Sequence, residues 1–394
     1  MKKTFYIFCI FVCSHFPSRL MAANIDTISV HHLLQLISRQ QKVHHPYFFK
    51  GVFPSYRTYH LNTPKADNNI FFTGLILFTL QKLYPKASPQ DKILIDSIVL
   101  RAKPAFSLFK NKSGRNTYNF WQTNPPQVFP NGGWLNWMNQ SMALPDDIDD
   151  TVISLLALNA DSTDASLAHL LMQQYTNLKH NKKIHNTPKP LQLFDAYSTW
   201  FGNKMPIDFD ICVLTNVLYF VYYYHLPLSK ADSASIHLIK KCIEKKYIDN
   251  KASIISPHYQ RTPVILYHLA RLMSLPEFRA LDQYQPELIQ LANKWLKKSS
   301  TLFFDRIILS TALLQWKQPI FNNINIQTKQ FQSIFMDEDF VFFKANMGSI
   351  LPQPFKSLST FFDIGEFNYD APAYNMVLLL EYLLLQQHFN ETQA

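Results

Sequence analysis

Two kinds of helix-forming segment alternate along this chain, and this alternation restricts the possible folds more than any other sequence feature. One kind is apolar nearly all round, and the other is amphipathic, with one polar face. A helix that is apolar all round must be buried, whereas an amphipathic helix exposes one face to water. The apolar segments start near Asp67, Asp147, Asp208, Pro257, Thr301 and Asp370, and the amphipathic ones near Ile28, Ser88, Ser162, Ser229, Pro286 and Gln327.

Alternating buried and half-buried helices predict helical hairpins arranged in a ring. We therefore expect an all-α domain over residues 24–394, an (α/α)6 toroid of six inner and six outer helices. Glycine occurs only 8 times in 394 residues, which argues against a turn-dense β fold and against glycine-rich phosphate loops. Because the spacing is irregular and no sequence repeat is visible, a helical array that does not close into a ring is the alternative.

The first 23 residues have the composition of a secretory signal peptide. Lys2 and Lys3 precede an apolar run over residues 5–12, and Ala22 and Ala23 offer small residues for cleavage. The run is too short to span a bilayer. We expect a periplasmic or secreted protein, with an uncleaved membrane anchor as the alternative.

The charge of the chain excludes one class of partner and favours another. The formal net charge is +10, but the basic residues form no stripe dense enough for nucleic acid. A basic surface favours anionic lipid headgroups or cell-wall polymers, so peripheral membrane contact is one expectation. The sequence does not indicate an oligomeric state.

Beyond the signal peptide the chain has two cysteines, Cys212 and Cys242. An oxidising compartment permits a disulfide between them, but both lie in apolar helical segments where buried free thiols are equally expected. No Cys-x-x-Cys or His-Glu-x-x-His pattern occurs, so we predict no zinc site and no cofactor. Carboxylates alone leave a divalent cation at the acidic cluster open.

Four carboxylates fall within five residues at the start of the second apolar segment: Asp146, Asp147, Asp149 and Asp150. One or two would serve to cap a helix and complement its dipole. Four packed together repel one another, which raises the pKa of at least one and leaves a protonated acid near neutral pH. The alternative is a solvated helix cap with more acidic residues than it needs.

The run Asp147-Ile148-Asp149-Asp150-Thr151 resembles the DxDDT motif of class II terpenoid cyclases. The resemblance implies membership of the α/α toroid superfamily that also contains the protein prenyltransferases. In the cyclases this motif opens an inner helix, and its middle aspartate protonates an alkene or epoxide. Carried over, the catalytic acid is Asp149, with Asp147 and Asp150 beside it. The chain is shorter than a two-domain cyclase and lacks glutamine–tryptophan repeats, so the resemblance implies the fold more directly than the reaction.

In a toroid all inner helices run the same way, so their N-termini meet at one mouth. Acidic, basic and aromatic residues occur at those ends and in the loops before them, and such convergence is how an active site is usually assembled. Taken singly, each aspartate is a helix cap, His258 a packing residue and each aromatic a core residue. The predicted substrate-binding residues are Tyr118, Trp121, Trp134, Asp210, His258, Tyr259 and Arg261.

Three functions fit these residues. In the first, Asp149 is a general acid on an isoprenoid or other lipid, and aromatic faces stabilise the resulting cation. In the second, aromatic faces stack on sugars and the acidic residues carry out glycan hydrolysis, or His258 or Tyr259 with Arg261 carries out lyase chemistry. An exported location favours glycans, and the motif favours isoprenoids. The third is a binding protein that uses the same pocket without turnover.

Overall fold

The computed structural model describes residues 28–60, 62–133, 143–179, 183–202, 204–320, 324 and 340–393. The predicted signal peptide, Trp134 and the amphipathic segment starting near Gln327 lie outside the described residues. The described helices are α1 (Val30–Gln40), α2 (Phe71–Leu83), α3 (Pro89–Ala102), α4 (Ile148–Leu158), α5 (Ser162–Met172), α6 (Ile211–Tyr223), α7 (Lys230–Glu244), α8 (Tyr247–Asn250), α9 (Ala252–Ile255), α10 (Thr262–Met273), α11 (Gln285–Leu296), α12 (Phe303–Gln315), α13 (Phe355–Phe361) and α14 (Pro372–Gln393).

Six of these helices form a closed ring. Helix α2 packs against α4, α4 against α6, α6 against α10, α10 against α12, and α12 against α14. The ring closes because α14 also packs against α2. These are the six segments that are apolar nearly all round, so the predicted inner layer of an α/α toroid is confirmed.

The amphipathic helices lie outside this ring. Helix α3 packs on α2, α5 on α4, α7 on α6, and α11 on α10 and α12, while α1 packs on α3 and α14. The sequence explains the division between layers. In α4 every residue from Ile148 to Ala157 is buried, whereas α11 buries only Leu288 and Ala292. Five of the six predicted outer helices are thus described, and the sixth falls in the segment starting near Gln327 that the structure does not describe.

A small antiparallel sheet adds to the helical ring. Its strands are β1 (Ser55–Thr58), β2 (Lys65–Asp67), β3 (Phe343–Asn346) and β4 (Glu366–Asp370), in the order β2-β1-β4-β3. Strand β4 pairs Asp370 with Tyr56 and Tyr369 with Phe343. The sequence predicts a short strand at Phe340–Lys344, which overlaps β3, but leaves β1, β2 and β4 unassigned. These strands are short, and the pairing of β1 with β4 joins distant parts of the chain.

Two further expectations can be compared with the structure. Cys212 and Cys242 are both buried and form no disulfide, as expected for buried free thiols. Within the described part of the chain, none of the helices combines the length and apolar composition that crossing a membrane requires.

Candidate functional site

A cavity lies where the N-terminal ends of α2, α4, α6 and α10 meet. The space between its lining atoms, open solvent included, is about 490 Å³. Three carboxyl groups and one imidazole face it, and aromatic rings supply most of the remaining wall. It is lined by Phe71, Phe120, Trp121, Leu144, Asp147, Asp149, Asp150, Thr199, Trp200, Val213, His258, Phe343 and Ala345.

Asp147 is the N-cap of α4. Its Oδ1 accepts hydrogen bonds from the backbone N–H groups of Asp149 (2.6 Å) and Asp150 (3.1 Å), which have no partner within the helix. Its own N–H donates to the carbonyl of Tyr118, and the next N–H donates to that of Thr199. Burial, with the charge of Asp149 added, raises the pKa of Asp147 to about 7. The capping role predicted for one acidic residue thus belongs to Asp147.

Asp149 is held by two donors from other inner helices and their loops. Asn216, on α6, donates from Nδ2 to Oδ1 at 2.6 Å, and the Tyr259 hydroxyl donates to Oδ2. Burial raises the pKa of Asp149 to about 6, although both hydrogen bonds act to lower it. Arg271 donates in turn to Asn216 Oδ1, which fixes the orientation of the amide. Asp149 is therefore mostly a carboxylate at neutral pH.

Asp150 has the opposite environment. Its Oδ1 is buried and has no hydrogen-bond partner among the described residues. Burial and the neighbouring charges of Asp147 and Asp149 raise its pKa well above the usual range. Asp150 therefore favours its protonated form, and it lines the cavity. The two adjacent aspartates differ because two side chains donate to Asp149, whereas Oδ1 of Asp150 has no donor among the described residues.

His258 is the cationic group of the cavity wall. Its Nδ1 donates to the carbonyl of Lys344 at 3.2 Å, and its Nε2 lies 3.7 Å from Asp208 Oδ2, too far for a hydrogen bond. Burial acts to lower its pKa, but the carboxylates of Asp208, Asp210 and Asp147 outweigh burial and raise it to about 9. His258 is therefore an imidazolium at neutral pH.

Asp208 balances this charge from behind the cavity. It is fully buried, and Lys356 Nζ lies 3.6 Å from its Oδ1. Burial acts to raise its pKa, but Lys356 and His258 together lower it to about 2. A buried carboxylate between two cations keeps His258 charged without offering a negative charge to the cavity.

Aromatic rings pack around Phe343 of β3 to form the apolar wall. Its ring centroid lies 4.9 Å from that of Phe71 and 5.7 Å from that of Phe120. Trp121 donates from Nε1 to Asp67 at 2.9 Å, which fixes its ring. The indole nitrogen of Trp200 is buried and has no hydrogen-bond partner within the described ranges. The wall surrounds the carboxyl groups with apolar rings, and two residues that line the cavity have an unused donor among the described residues: Trp200 at its indole N–H and His258 at Nε2.

The structure brings together some of the predicted site residues but not all. Asp147, Asp149, Asp150, Trp121 and His258 line the cavity. Tyr259 and Asp210 lie behind it: Tyr259 donates to Asp149, and Asp210 accepts from the His258 N–H and caps α6.

Two predicted residues do not line the cavity. Tyr118 holds the start of α4 through its backbone, and Arg261 forms a bidentate ion pair with Asp305. Trp134, the remaining residue of the prediction, lies outside the described residues.

Sequence reasoning missed several groups at this site. Asn216 interrupts an apolar segment, and a lone polar residue in a buried helix was the available signal for it. Arg271, fully buried in α10, carried a similar signal. Phe343 and Lys356 reach the site only through tertiary contacts, and no local pattern marks them. Trp200 belongs to the aromatic loops that the sequence places before the inner helices, and it lines the cavity as expected.

Several buried polar atoms at this site have no hydrogen-bond partner among the described residues, including Asp150 Oδ1, Trp200 Nε1 and His258 Nε2. Among the described residues, no group of three or more histidine, cysteine, aspartate or glutamate side chains is placed to hold a metal ion. The arrangement offers a carboxyl group whose pKa is raised well above the usual range (Asp150), a carboxylate (Asp149) and an imidazolium (His258) at one cavity. These groups can give a proton, accept one, and bind an electron-rich or anionic part of a ligand.

Comparison with known proteins gives a structural similarity but no similar sequence. No protein-family profile matches the chain, and no curated protein matches it. Among solved structures, it is similar to the crystal structure of an unsaturated glucuronyl hydrolase specific for heparin. The TM-score is 0.45 and the sequence identity 11%, over 92% of this chain and 96% of that chain. The toroid of the present protein is defined by its own helix contacts.

Proposed function

We propose that this protein is a general-acid enzyme in which Asp150 donates a proton to a substrate held against the aromatic wall. The observation that carries this proposal is the buried, unpaired Oδ1 of Asp150 at the cavity. A buried carboxyl group without a partner is costly, and such groups occur preferentially at functional sites. A carboxyl group kept neutral by burial and by neighbouring charges is a proton donor at neutral pH.

In this mechanism the neighbouring groups have separate roles. Asp149, fixed as a carboxylate by Tyr259 and Asn216, stabilises positive charge that develops after proton transfer. The faces of Phe120, Trp121 and Phe343 add cation–π stabilisation. Asp147, with a pKa of about 7, is placed to take a proton back. The DxDDT resemblance assigns proton donation to Asp149, so the two residues are the alternatives to separate by experiment.

An electron-rich alkene of an isoprenoid or other lipid is the first substrate class. Eight of the thirteen lining residues are apolar, so most of the wall can contact an apolar chain. Protonation of a carbon–carbon double bond leaves a carbocation, which loses a proton or captures water.

A glycan is the second substrate class. Trp121 and Trp200 can stack on sugar rings, and the unpaired Trp200 N–H and the His258 imidazolium can bind hydroxyl or carboxylate groups. Here Asp150 protonates a glycosidic oxygen, and a second carboxylate acts on water or on the anomeric carbon.

One experiment separates these classes and identifies the acid. The purified protein is incubated in D2O with polyprenyl lipids or with glycan fragments, and products are analysed by mass spectrometry. Alkene protonation places one deuterium on carbon, whereas glycosidic cleavage produces a new reducing end without carbon-bound deuterium. We expect Asp150→Asn to abolish turnover while Asp161→Asn, at the exposed cap of α5, keeps it. Turnover that survives Asp150→Asn but not Asp149→Asn would assign the acid to Asp149 instead.

A further inference from the structure

Helix α13 presents its apolar face to solvent and its polar face to the protein. Phe355, Leu358 and Phe361 are 60%, 49% and 78% exposed. On the inward face Lys356 is completely buried and Ser359 is nearly so. This is the reverse of an ordinary surface helix, whose apolar side packs on the core.

The exposed apolar residues extend on both sides of α13. Between β3 and β4, seven large apolar side chains are 39% to 78% exposed. The ring centroids of Phe361 and Phe362 lie 5.0 Å apart. The backbone N–H of Met347 donates to the carbonyl of Gly365, so the two ends of the segment meet. Exposed apolar patches of this size mark interaction sites. The apolar flap consists of Met347, Leu351, Phe355, Leu358, Phe361, Phe362 and Ile364.

The flap is fixed in this orientation by its polar contacts. Lys356 Nζ lies 3.6 Å from the buried carboxylate of Asp208, and the Ser349 carbonyl accepts from Asn186 Nδ2 at 2.8 Å. Rotating the helix to bury its phenylalanines would break the ion pair between Asp208 and Lys356, and breaking a buried ion pair is costly. The exposed phenylalanines are therefore a stable feature of the fold, and none of the residues that the structure describes covers them.

Basic residues border the flap. The N–H of Gln353, just before α13, donates to the carbonyl of His185 at 3.3 Å, which joins the flap to the loop over residues 179–193. This loop has no acidic residue in its sequence, and Lys179, Lys183 and Lys189 are exposed. On the other side α13 packs against α9, which follows the exposed Lys251. Within the flap segment, Asp363 is offset by Lys344 at 3.5 Å.

An apolar patch bordered by exposed lysines matches an anionic bilayer, which offers an apolar interior beneath negative headgroups. Phenylalanine and leucine insert at the acyl boundary, and each nearby lysine adds electrostatic attraction. A second copy of this chain matches less well, because a two-fold interface would bring the same lysines towards each other. We propose that the apolar flap and the basic loop form a docking surface for an anionic membrane.

The proposed surface is continuous with the cavity wall. Ala345 of β3 lines the cavity, and the flap begins two residues later at Met347. A membrane-docked protein would thus hold one wall of the cavity close to the lipid. The docking proposal does not depend on the proposed function, since binding to vesicles is measured without turnover.

The test is co-flotation of the full chain with vesicles of phosphatidylcholine alone or mixed with phosphatidylglycerol. We expect binding to the mixed vesicles, lowered about tenfold or more by Phe361→Ser/Phe362→Ser. The matched control is Ile93→Ser/Leu100→Ser, which changes two exposed apolar residues of α3 (69% and 73% exposed) and keeps wild-type binding. Phe355→Ser/Leu358→Ser is a second flap variant, and circular dichroism verifies that each variant is folded.

A charge variant tests the basic loop. We expect Lys183→Glu/Lys189→Glu to lower binding to the mixed vesicles and to weaken its dependence on salt. The control is Lys86→Glu/Lys317→Glu, which changes the net charge by the same amount. These two exposed lysines follow the C-terminal ends of α2 and α12. All variants share the same N-terminal segment, so its contribution cancels in the comparison.

Two results would overturn the proposal. In the first, the folded flap variants float with the mixed vesicles as the wild type does. In the second, the wild type does not float, and light scattering shows a dimer that the flap substitutions disperse, which would assign the surface to a second copy of this chain.

Discussion

At the residue scale, three aspartates within four positions have different hydrogen-bonding environments, and these environments influence the pKa of each carboxyl group. Asp147 accepts from backbone N–H groups, Asp149 accepts from two side chains, and the described residues give Asp150 Oδ1 no partner. The sequence predicts that packing these carboxyl groups raises at least one pKa, and the structure agrees in direction. It could not predict which one, since Asn216 and Tyr259 reach Asp149 from positions 67 and 110 residues away.

The first prediction concerns how stability depends on pH. Above its ordinary pKa of 3.8 an unfolded Asp150 releases its proton, whereas burial and the neighbouring charges hold the pKa of the folded Asp150 well above that value. The free energy of unfolding therefore falls as pH rises above about 4, by about 1.4 kcal/mol per pH unit for each such group, until the group ionises in the folded protein as well. We expect the free energy of unfolding of Asp150→Asn to depend less steeply on pH, by about 1.4 kcal/mol per pH unit. Urea unfolding from pH 4.5 to 7.5 measures this slope.

The control for this prediction is Asp161→Asn, which removes an exposed carboxylate from the cap of α5. The free energy of unfolding of this control should depend on pH as that of the wild type does, within error. An unchanged slope in Asp150→Asn would show that Asp150 is ionised in the folded protein and would also remove the basis for its role as an acid.

The second prediction concerns the hydroxyl group of Tyr259. Tyr259→Phe keeps the ring but leaves Asp149 Oδ2 without its donor. Leaving a buried carboxylate oxygen unpaired costs about 1–3 kcal/mol, and it raises the pKa of Asp149. We expect a lower free energy of unfolding at pH 7.5 and a smaller loss at pH 5, where Asp149 is protonated in the variant. An equal loss at both pH values would mean that the hydroxyl contributes through packing alone.

At the scale of elements, the close approach of neighbouring inner helices gives the third prediction. Gly74 lies in α2, and a Cβ at this position would be 2.9 Å from Cγ2 of Ile153 in α4. Gly74→Ala should therefore destabilise the protein by about 1–3 kcal/mol despite the higher helix propensity of alanine. Thermal or urea unfolding measures the change.

A double-mutant cycle checks the cause of that loss. Ile153→Ala removes the atom that the new methyl group would meet, at the expense of a cavity. We expect Gly74→Ala to cost clearly less in the Ile153→Ala background than in the wild type. Equal costs in both backgrounds would place the strain elsewhere in α2.

The helices were predictable from the sequence and most of the sheet was not, for a physical reason. The inner helices are encoded by local hydrophobic pattern, so segments such as α4 and α6 could be assigned directly. Strands β1 and β4 pair residues more than 300 positions apart, and their short sequences carry no comparable signal. The cavity depends on both, because Phe343 comes from the sheet and Asp150 from the ring. The carboxyl groups at the start of α4 could therefore be predicted, whereas Asn216 and Arg271 within inner helices and Phe343 on β3 were not.

At the scale of the whole molecule, the closed ring makes each inner helix depend on two neighbours. Helix α14 contacts both α12 and α2, so it joins the last hairpin to the first. Its residues Tyr382 and Glu381 are fully buried, and Glu381 pairs with Lys82 of α2 and accepts from Tyr267 of α10. The side chain of Glu381 thus connects helices from different parts of the ring, and the inner layer should unfold as one unit.

The last prediction tests this closure. A chain ending at Asp370 lacks α14, which exposes the facing sides of α2 and α12 and leaves Lys82 without Glu381. We expect cooperative loss of the tertiary structure, seen as loss of the near-ultraviolet circular dichroism signal, because the apolar faces of α2 and α12 that α14 covers would be exposed to water. A chain ending at Gln386, which removes mainly exposed residues, should keep the signal and most of the stability. If the chain ending at Asp370 folds and melts cooperatively, the hairpins would instead stack as an open array, in which closure of the ring contributes little to stability.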